Sequence, residues 1–383
     1  MLAAWVKSWK GFAWTLPGEC KHVAILVGTR LRRPMSDCIV STGSRELATP
    51  VPVRFVHNDR FGAAEAIASD NLDELFEKRP DILASFAENG DLCWTVQTWC
   101  RLRDADIGGI EIATSPAEGR INLAKAKTLA RHGPRPHCFQ VSIQAEYPRV
   151  LWAQFHIQQN ADLLCDDGAF QFLWPQAGII PRDGSRTAVR RVGFLGNASG
   201  NLAASDEEWT RLFAERGFEF VARGPDRWHD FSDIDVAIGI RSFGNARHSR
   251  KPANKMINAW LGRVPFIGGA DSAFAQAGTA GIDHLLATNR DELLRQVERL
   301  RDDEALYRSL VAAGSRKAAE FSVPHLAEQW TALLEGPVSA RYRQWSAHRR
   351  SEASRVRAFG FAQSGIELAK SVGRKILRRG YEE

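Results

Sequence analysis

The sequence predicts an α/β protein with two doubly wound domains and a basic C-terminal helical tail, and three observations support this. Strand-like and helix-like segments alternate over residues 91–189 and again over 190–335, a rhythm that indicates parallel sheets covered by helices. The chain has 383 residues, enough for two separate hydrophobic cores. Its last segment, residues 336–383, carries eleven Lys and Arg against four Asp and Glu.

Composition excludes several classes of protein. An apolar share of 44% and a charged share of 25% are ordinary for a soluble protein. The formal charge of +6 is concentrated in the tail, so the rest of the chain does not have the basic balance of a nucleic-acid-binding protein. The six cysteines are scattered without a C-x-x-C pair, which favours reduced thiols in a cytoplasmic setting. Because no apolar run approaches the length of a membrane-spanning helix, we expect a cytoplasmic protein that is soluble or peripheral to a membrane.

The first domain is predicted to occupy residues 1–175, of which 1–90 are the least regular. A linker rich in proline and glycine follows at 176–190. The predicted elements of the first domain are, in order, strands at 22–28 and 51–56, helices over 63–88 and 91–103, a strand at 110–113, a helix over 123–132, and strands at 137–143 and 150–157.

The second domain is predicted to occupy residues 191–335, with the basic tail at 336–383. A strand over 191–196 runs into a glycine-containing loop, and Ser205 with Glu208 forms a capping box for the next helix. The remaining predicted elements are strands at 218–222, 235–240, 264–267 and 282–286, a short helix at 226–232, and helices over 252–261, 291–321 and 323–334.

The segment 251–269 carries the strongest functional pattern. At helical periodicity its apolar residues gather on one side, while Lys251, Asn254, Lys255 and Asn258 gather on the other. Pro252 suits the first turn of a helix. The positive end of the helix dipole, together with two lysines, is a natural seat for a diphosphate. A solvated lysine face is the alternative interpretation.

This segment resembles the donor-site helix of GT-B glycosyltransferases, which have two Rossmann-like domains facing a cleft. Asn254-Lys255 stands where many members have a serine-lysine pair, Asn258-Ala259 stands where glutamate-alanine is usual, and Val264-Pro265-Phe266 matches the entry to the following strand. The resemblance implies transfer of a sugar, as in hexosyltransferases, from a nucleotide-diphosphate sugar to a glycan or lipid-linked acceptor. It also implies that neither a metal nor another cofactor is needed, and it favours retention of the anomeric configuration.

The candidate site residues follow from this resemblance and from the rule that ligands bind at the carboxyl ends of parallel strands. For the donor these are Gly196, Asn197, Lys251, Asn254, Lys255 and Asn258, with Arg241 and Lys255 stabilising the departing diphosphate. A surface loop is the other interpretation of Arg241. On the acceptor side we expect Asn122 and Asn160, with His156 as the catalytic base near neutral pH. A packed, hydrogen-bonded histidine is the alternative.

The tail and the partners remain open to more than one interpretation. Seven Phe, Ile, Leu and Val residues between 359 and 377 are interleaved with Lys and Arg, a basic amphipathic pattern that suits an anionic membrane surface or a helix docked on the body. We expect a nucleotide-sugar donor, a glycan or lipid-linked acceptor and no nucleic acid, with the protein on the inner face of the membrane. A non-catalytic nucleotide- or sugar-binding protein of the same fold and a sugar-nucleotide epimerase are the alternatives.

Overall fold

The computed structural model describes residues 38–379, with side chains through residue 365. The strand predicted at 22–28 lies outside the described residues. Two parallel-stranded sheets dominate the rest of the chain, the larger one formed before residue 171 and the smaller one after residue 190. Within the described range, no helix combines the length and the apolar character that crossing a bilayer requires.

The larger sheet has seven strands in the order β1-β5-β3-β6-β7-β8-β9. All neighbours are parallel except β1 and β5, and a two-stranded ribbon lies beside the sheet. The strands of the sheet are β1 (Cys38–Ser41), β3 (Val53–Val56), β5 (Ile110–Ala113), β6 (Ile121–Lys125), β7 (Phe139–Ile143), β8 (Phe155–Gln158) and β9 (Gly168–Phe170). The ribbon consists of β2 (Arg45–Glu46) and β4 (Ile107–Gly108). The chain passes from β3 to β5 on one side and then to β6 on the other, so a crevice is expected between the carboxyl ends of β3 and β6.

Five helices and one π-helical turn belong to this sheet. The helices are α1 (Ala63–Ala68), α2 (Leu72–Lys78), α3 (Pro80–Glu88), α4 (Gln97–Asp104) and α5 (Ala126–His132), and the π-helical turn, Leu92–Val96, leads directly into α4. Asn71 caps α2 by accepting from the amides of Asp73 and Glu74, and Pro80 occupies the first turn of α3, as expected for residues that favour helix starts. Trp94 and Trp99 bury their rings in the core between the helices and the sheet.

The smaller sheet has five parallel strands in the order β11-β10-β12-β13-β14. Its strands are β10 (Arg191–Leu195), β11 (Glu219–Arg223), β12 (Val236–Gly239), β13 (Phe266–Gly268) and β14 (Leu285–Leu286), and its helices are α6 (Asp206–Ala214), α7 (Asn254–Leu261), α8 (Ser272–Ala277), α9 (Arg290–Asp302) and α10 (Glu304–Ala318). Ser205 accepts from the amide of Glu208 at the start of α6, as the capping pattern predicts. The order of strands reverses at β10, which places the crevice of this sheet between the carboxyl ends of β10 and β12.

The C-terminal helices return to the larger sheet. They are α11 (Val323–Leu333), a π-helical turn (Leu334–Val338), α12 (Ser339–Ala347) and α13 (Arg349–Arg379). Trp330 of α11 lies edge-on to Trp94, 6.3 Å between ring centroids, and Tyr342 and Trp345 of α12 contact Phe139. Aromatic side chains bury large apolar areas, so these contacts fix the end of the chain to the first core.

Each sheet also holds one buried carboxylate between two arginines. In the smaller sheet the carboxylate of Asp235 is fully buried, pairs with Arg182 and Arg186 at 2.8 Å each, and accepts from the amides of Arg190 and Arg191. In the larger sheet Glu111 pairs with two other arginines, Arg54 and Arg120, again at 2.8 Å. Asp235 therefore joins the linker to the start of β12.

Some predicted boundaries differ from the observed ones because loop turns shorten the elements. The helix predicted from Pro252 begins at Asn254, since the amide of Lys251 donates to the carbonyl of His248 and closes a turn first. The strand predicted at 282–286 is confined to 285–286, because Asp283 accepts from the amide of Thr279 in a tight loop. The strand predicted at 150–157 begins at 155 for a similar reason, a turn over 150–153.

Candidate active site

A cavity of about 200 Å³ lies at the carboxyl end of the smaller sheet, at the point where its strand order reverses. Leu195, Gly196 and Asn197 line it at the end of β10, and Arg241 lines it just after β12. The start of α7 and the connection 173–177 complete this side, while α3 and the residues around α4 in the larger sheet form the opposite wall. The cavity therefore stands where ligands bind in doubly wound sheets.

Lys255, in the first turn of α7, is the central side chain of this cavity. Its Nζ lies 5.0 Å from the centre of the Phe194 ring, and no carboxylate of the described residues forms an ion pair with it. Burial lowers the pKa of Lys255 to about 7, and the charges of Arg241 and Lys251 lower it further, against an opposing effect of Glu146. A half-buried cation without a counter-ion favours the binding of an anion. The bound anion stabilises the protonated form of the lysine and replaces the water that burial removes.

Gly196 makes room for this lysine. A Cβ atom at position 196 would stand 2.8 Å from both Cε and Nζ of Lys255, closer than real contacts allow. The backbone of Gly196 has a φ of 151°, which residues with a side chain rarely adopt. The neighbouring Asn197 accepts from the amide of Ser199 and so holds the turn that follows β10.

Arg241 provides a second cation at the same edge of the sheet. Its guanidinium is buried, forms an ion pair with Asp271 and lies 5.6 Å from the centre of the Phe274 ring. Burial lowers the pKa of Arg241 to about 10, partly offset by Glu146. The Nε–H of Arg241 has no hydrogen-bond partner among the described residues. Arg241 therefore brings a largely dehydrated charge to the cavity, already oriented by its carboxylate partner.

Lys251 lies before α7 rather than on it and faces the larger sheet. Its Nζ is 2.8 Å from a carboxylate oxygen of Glu146, which follows β7. Glu146 also lines the cavity and is the one carboxylate among the described residues that do so. The pair joins the two sheets at the rim of the cavity.

The two asparagines of α7 hold the connection between the sheets. Asn254 donates from Nδ2 to the carbonyl of Trp174 at 2.7 Å, and Asn258 accepts at Oδ1 from the amide of Gln176 at 3.0 Å. The Nδ2 group of Asn258 donates to no described residue, so it keeps a donor directed to the region that the cavity occupies. Both side chains line the cavity, as the helical stripe predicts.

Three predicted residues are not brought to this cavity. His156 is buried in β8, where its Nε2 lies 3.2 Å from Nε of Arg149. Burial and the charge of Arg149 lower the pKa of His156 to about 4. Asn160 binds Ser272 and the carbonyl of Lys251, so it joins the two sheets. Asn122 is buried and bound to both backbone groups of Ala117, so it shapes its own loop.

The sequence interpretation did not include Glu146, Trp174 and Asp271. For Glu146 a signal was available, since it follows the predicted strand at 137–143 by three residues and therefore stands at the carboxyl end of that strand. Asp271, the partner of Arg241, comes two residues after the Gly268-Gly269 pair. Nothing in its local sequence indicates an arginine thirty positions earlier.

No family model matches the chain, and no curated protein sequence matches it. Solved structures with some similarity include S. aureus TarM, at 7% identity and a TM-score of 0.40 over 57% of this chain and 55% of TarM. Anabaena HepE, solved with UDP and glucose, has 10% identity and a TM-score of 0.40 over 74% of this chain and 99% of HepE. The pneumococcal O-GlcNAc transferase GtfA, solved with UDP and GlcNAc, has 11% identity and a TM-score of 0.41 over 57% of each chain.

The match with TarM covers about half of the length of that protein. These are distant likenesses.

Proposed function

We propose that the protein is a glycosyltransferase that binds a nucleotide-diphosphate sugar in the cavity beside Lys255. The observation that carries the proposal is a half-buried lysine without a carboxylate partner in the first turn of α7, at the switch point of a doubly wound sheet. Diphosphates bind at such positions because the helix dipole and the free amides add to the side-chain charge. The amides of Asn254 and Lys255 donate to no described residue.

In the proposed reaction Lys255 and Arg241 stabilise the negative charge that develops on the departing diphosphate. Such preorganised charges act most strongly where water is largely excluded, and both side chains have pKa values lowered by burial. With two cations in place, we propose that the transfer needs no metal. Gly196 and Asn197 would approach the phosphates, and the free donor of Asn258 would bind a sugar hydroxyl of the donor.

For the acceptor, the proposal transfers the role of catalytic base from His156 to Glu146. Glu146 lines the cavity on the wall opposite α7, whereas His156 does not line it. A carboxylate there would accept the proton of an acceptor hydroxyl as the sugar is transferred. The acceptor is proposed to be a glycan or a lipid-linked molecule. A base on the wall opposite the departing diphosphate implies displacement with inversion, whereas the resemblance alone favours retention, so the anomeric configuration of the product tests the role of Glu146.

We also propose that α13 brings the protein to an anionic membrane surface. Ala353 and Val356 of this helix are buried against the larger sheet, while Phe361 is 83% exposed among arginines. Exposed aromatic and basic groups on one helix favour the interface of anionic lipids. Binding to vesicles with and without anionic lipid, before and after Phe361→Ser, would test this location.

The first experiment is a thermal-shift screen with UDP-, GDP- and CDP-sugars, followed by a turnover assay for the nucleotide that stabilises most. Lys255→Ala should weaken binding of the nucleoside diphosphate by about 1.5–3 kcal/mol, the value of a charge-assisted contact. Lys317→Ala, which removes a lysine paired with Glu320 on α10, is the matched control. Unchanged affinity in Lys255→Ala would contradict the site.

The products distinguish the proposal from its two alternatives. Release of nucleoside diphosphate with formation of a glycoside supports the transferase, and conversion of one nucleotide sugar into another would indicate an epimerase. Tight binding without turnover would indicate a non-catalytic binding protein, which the presence of Asn258 where glutamate is usual favours as the second candidate.

A further inference from the structure

A second cavity, of about 300 Å³, lies at the switch point of the larger sheet. Asn58 follows β3 and Lys125 ends β6, and these two strands are neighbours whose sequence positions lie on either side of β5. The carboxyl ends of these two strands face the cavity. The cavity beside Lys255, called the donor cavity from here on, has the equivalent position in the smaller sheet.

Four cations line this cavity: Arg60, Lys125, Lys127 and Arg131. None of them forms an ion pair or a side-chain hydrogen bond with another described residue. By contrast, Arg79 and Arg103, on the helices α3 and α4 or beside them, are paired with Asp81 and Asp104. Four unpaired cations that converge on one concave surface create a positive potential, which a bound anion would relieve.

The floor of the cavity is a closed hydrogen-bond network rather than a free negative charge. Asp91 is buried and accepts from the amide of Asn58 at 2.7 Å and from the hydroxyl of Thr128 at 2.6 Å. Asn58 also donates from Nδ2 to the same hydroxyl, at 2.6 Å. Both oxygens of Asp91 are thus engaged, and the exposed Glu88 is the other acidic residue among the described lining residues.

Gly90 leaves the space that Lys125 occupies. A Cβ atom at position 90 would stand 2.5 Å from Nζ of Lys125, so a larger residue would displace the ammonium group. The lysine is half-buried between this glycine and the end of β6. Its charge is therefore held at the cavity wall, in contrast to the more exposed charges of Lys127 and Arg131.

The two cavities share one wall. Phe86, Ala87 and Cys93 line the donor cavity, whereas Ser85 and residues 88–91 line the second one. The end of α3 and the start of the π-helical turn thus contribute residues to both cavities, and a helix is about 10 Å across. A molecule anchored in one cavity can extend a reactive group around this wall towards the other.

We propose that the second cavity binds a phosphate group of the acceptor, so that the acceptor is anchored there while its hydroxyl reaches the donor cavity. This deepens the proposed transferase function and depends on it. Phosphate matches the cavity because several cations can each donate to a different oxygen, and charge-assisted bonds of this kind are the strong ones. Binding energy from such a remote group would position the reacting hydroxyl.

The test is a calorimetric titration of the full chain with inorganic phosphate. Lys125→Gln combined with Arg131→Gln should weaken phosphate binding by about tenfold or more, while the affinity for the nucleoside diphosphate stays unchanged. The control is Arg295→Gln combined with Lys317→Gln, which removes the same charge from an exposed position on α9 and a partly exposed one on α10. An equal loss in the control pair, or no loss in the first pair, would overturn the proposal.

Two further comparisons separate this inference from the donor-site proposal. If Lys255→Ala abolishes phosphate binding and the Lys125→Gln, Arg131→Gln pair does not, phosphate binds in the donor cavity and the inference fails alone. If Lys255→Ala leaves nucleotide affinity unchanged, the donor-site proposal fails instead. Displacement of phosphate by glucose 6-phosphate supports a soluble phosphorylated acceptor, displacement by phosphatidic acid in detergent micelles supports a lipid-linked one, and displacement by neither overturns the acceptor assignment.

Discussion

The two sheets carry cavities at equivalent positions, but their cations differ in environment. Beside the smaller sheet, Lys255 and Arg241 are withdrawn from water, and their pKa values are lowered to about 7 and about 10. Beside the larger sheet, Arg60, Lys127 and Arg131 are exposed. Withdrawn charges respond most strongly to charge that develops during a reaction, whereas several cations on one concave surface attract an anion by their summed potential. This difference supports the proposal that one cavity carries out the chemistry and the other anchors the acceptor.

The largest expected effect tests whether the larger sheet contributes to the chemistry at all. Glu146→Gln should lower the rate of transfer by about 10²–10⁴-fold, the usual contribution of a general base. Its ion pair with Lys251 is partly exposed, so the free energy of unfolding should change by less than about 1 kcal/mol. Single-turnover rates and denaturant unfolding of the same variant measure both. A rate close to that of the wild type would assign the base to another residue.

The next prediction compares the two buried carboxylates. Asp235→Ala should lower the free energy of unfolding by about 3–5 kcal/mol, because Arg182 and Arg186 lose their partner in a buried site. Glu111→Ala should cost less, about 1–3 kcal/mol, because Asp235 also accepts from the backbone amides of Arg190 and Arg191, whereas the Glu111 side chain accepts from side chains only among the described residues. Urea unfolding curves of both variants decide the order. Equal costs would mean that the two networks are energetically alike.

A third prediction concerns the space beside Lys255. Gly196→Ala should weaken binding of the nucleoside diphosphate by about tenfold or more, because the added Cβ displaces the ammonium group from a charge-assisted contact. Gly200→Ala is the control, since Gly200 also has a positive φ, 67°, but no atom within 4 Å of the added group. Calorimetric titration of both variants separates displacement from backbone strain. The same loss in both would indicate strain alone.

The smallest expected effect is a pH dependence of the affinity for the nucleoside diphosphate in the cavity beside Lys255. Lys255 is charged below its pKa of about 7, so the empty protein loses this proton as the pH rises, and the diphosphate must restore it on binding. Affinity for the nucleoside diphosphate should therefore fall by up to about fivefold between pH 7 and pH 8, where phosphates are already ionised. Lys255→Met should show no such slope. A slope that persists in this variant would assign the titration to another group.

The features of this protein that the sequence predicts are those that depend on residues close together in the chain. The stripe Asn254, Lys255 and Asn258 depends on helical periodicity alone, and the structure places all three at the cavity. The cap at Ser205 depends on side chains three residues apart, and it is observed. The parallel sheets follow from the alternation of strands and helices.

The residues that sequence reasoning misplaced depend on contacts outside their own helix or strand. His156 has the chemistry of a base, but its side chain turns towards Arg149 and away from the donor cavity. Asn160 has its donors and acceptors engaged by Ser272 and Gln276, more than a hundred residues away. The role of Asp271 likewise depends on the packing of α8 against β12. Such partners are decided by tertiary packing, which no periodicity within a short window contains.

The size of the donor cavity has a consequence for the rate of turnover. Sites for drug-sized ligands span roughly 300–1,000 Å³, and the cavity beside Lys255 measures about 200 Å³, so a whole nucleotide sugar, the proposed donor, would enter only after the walls separate. That separation would break ion pairs between the two sheets, Lys251 with Glu146 and Arg247 with Asp162, both partly exposed and therefore weak. If the proposed function holds, we expect this opening, on the microsecond-to-millisecond timescale, to limit the rate at which the nucleoside diphosphate product is released.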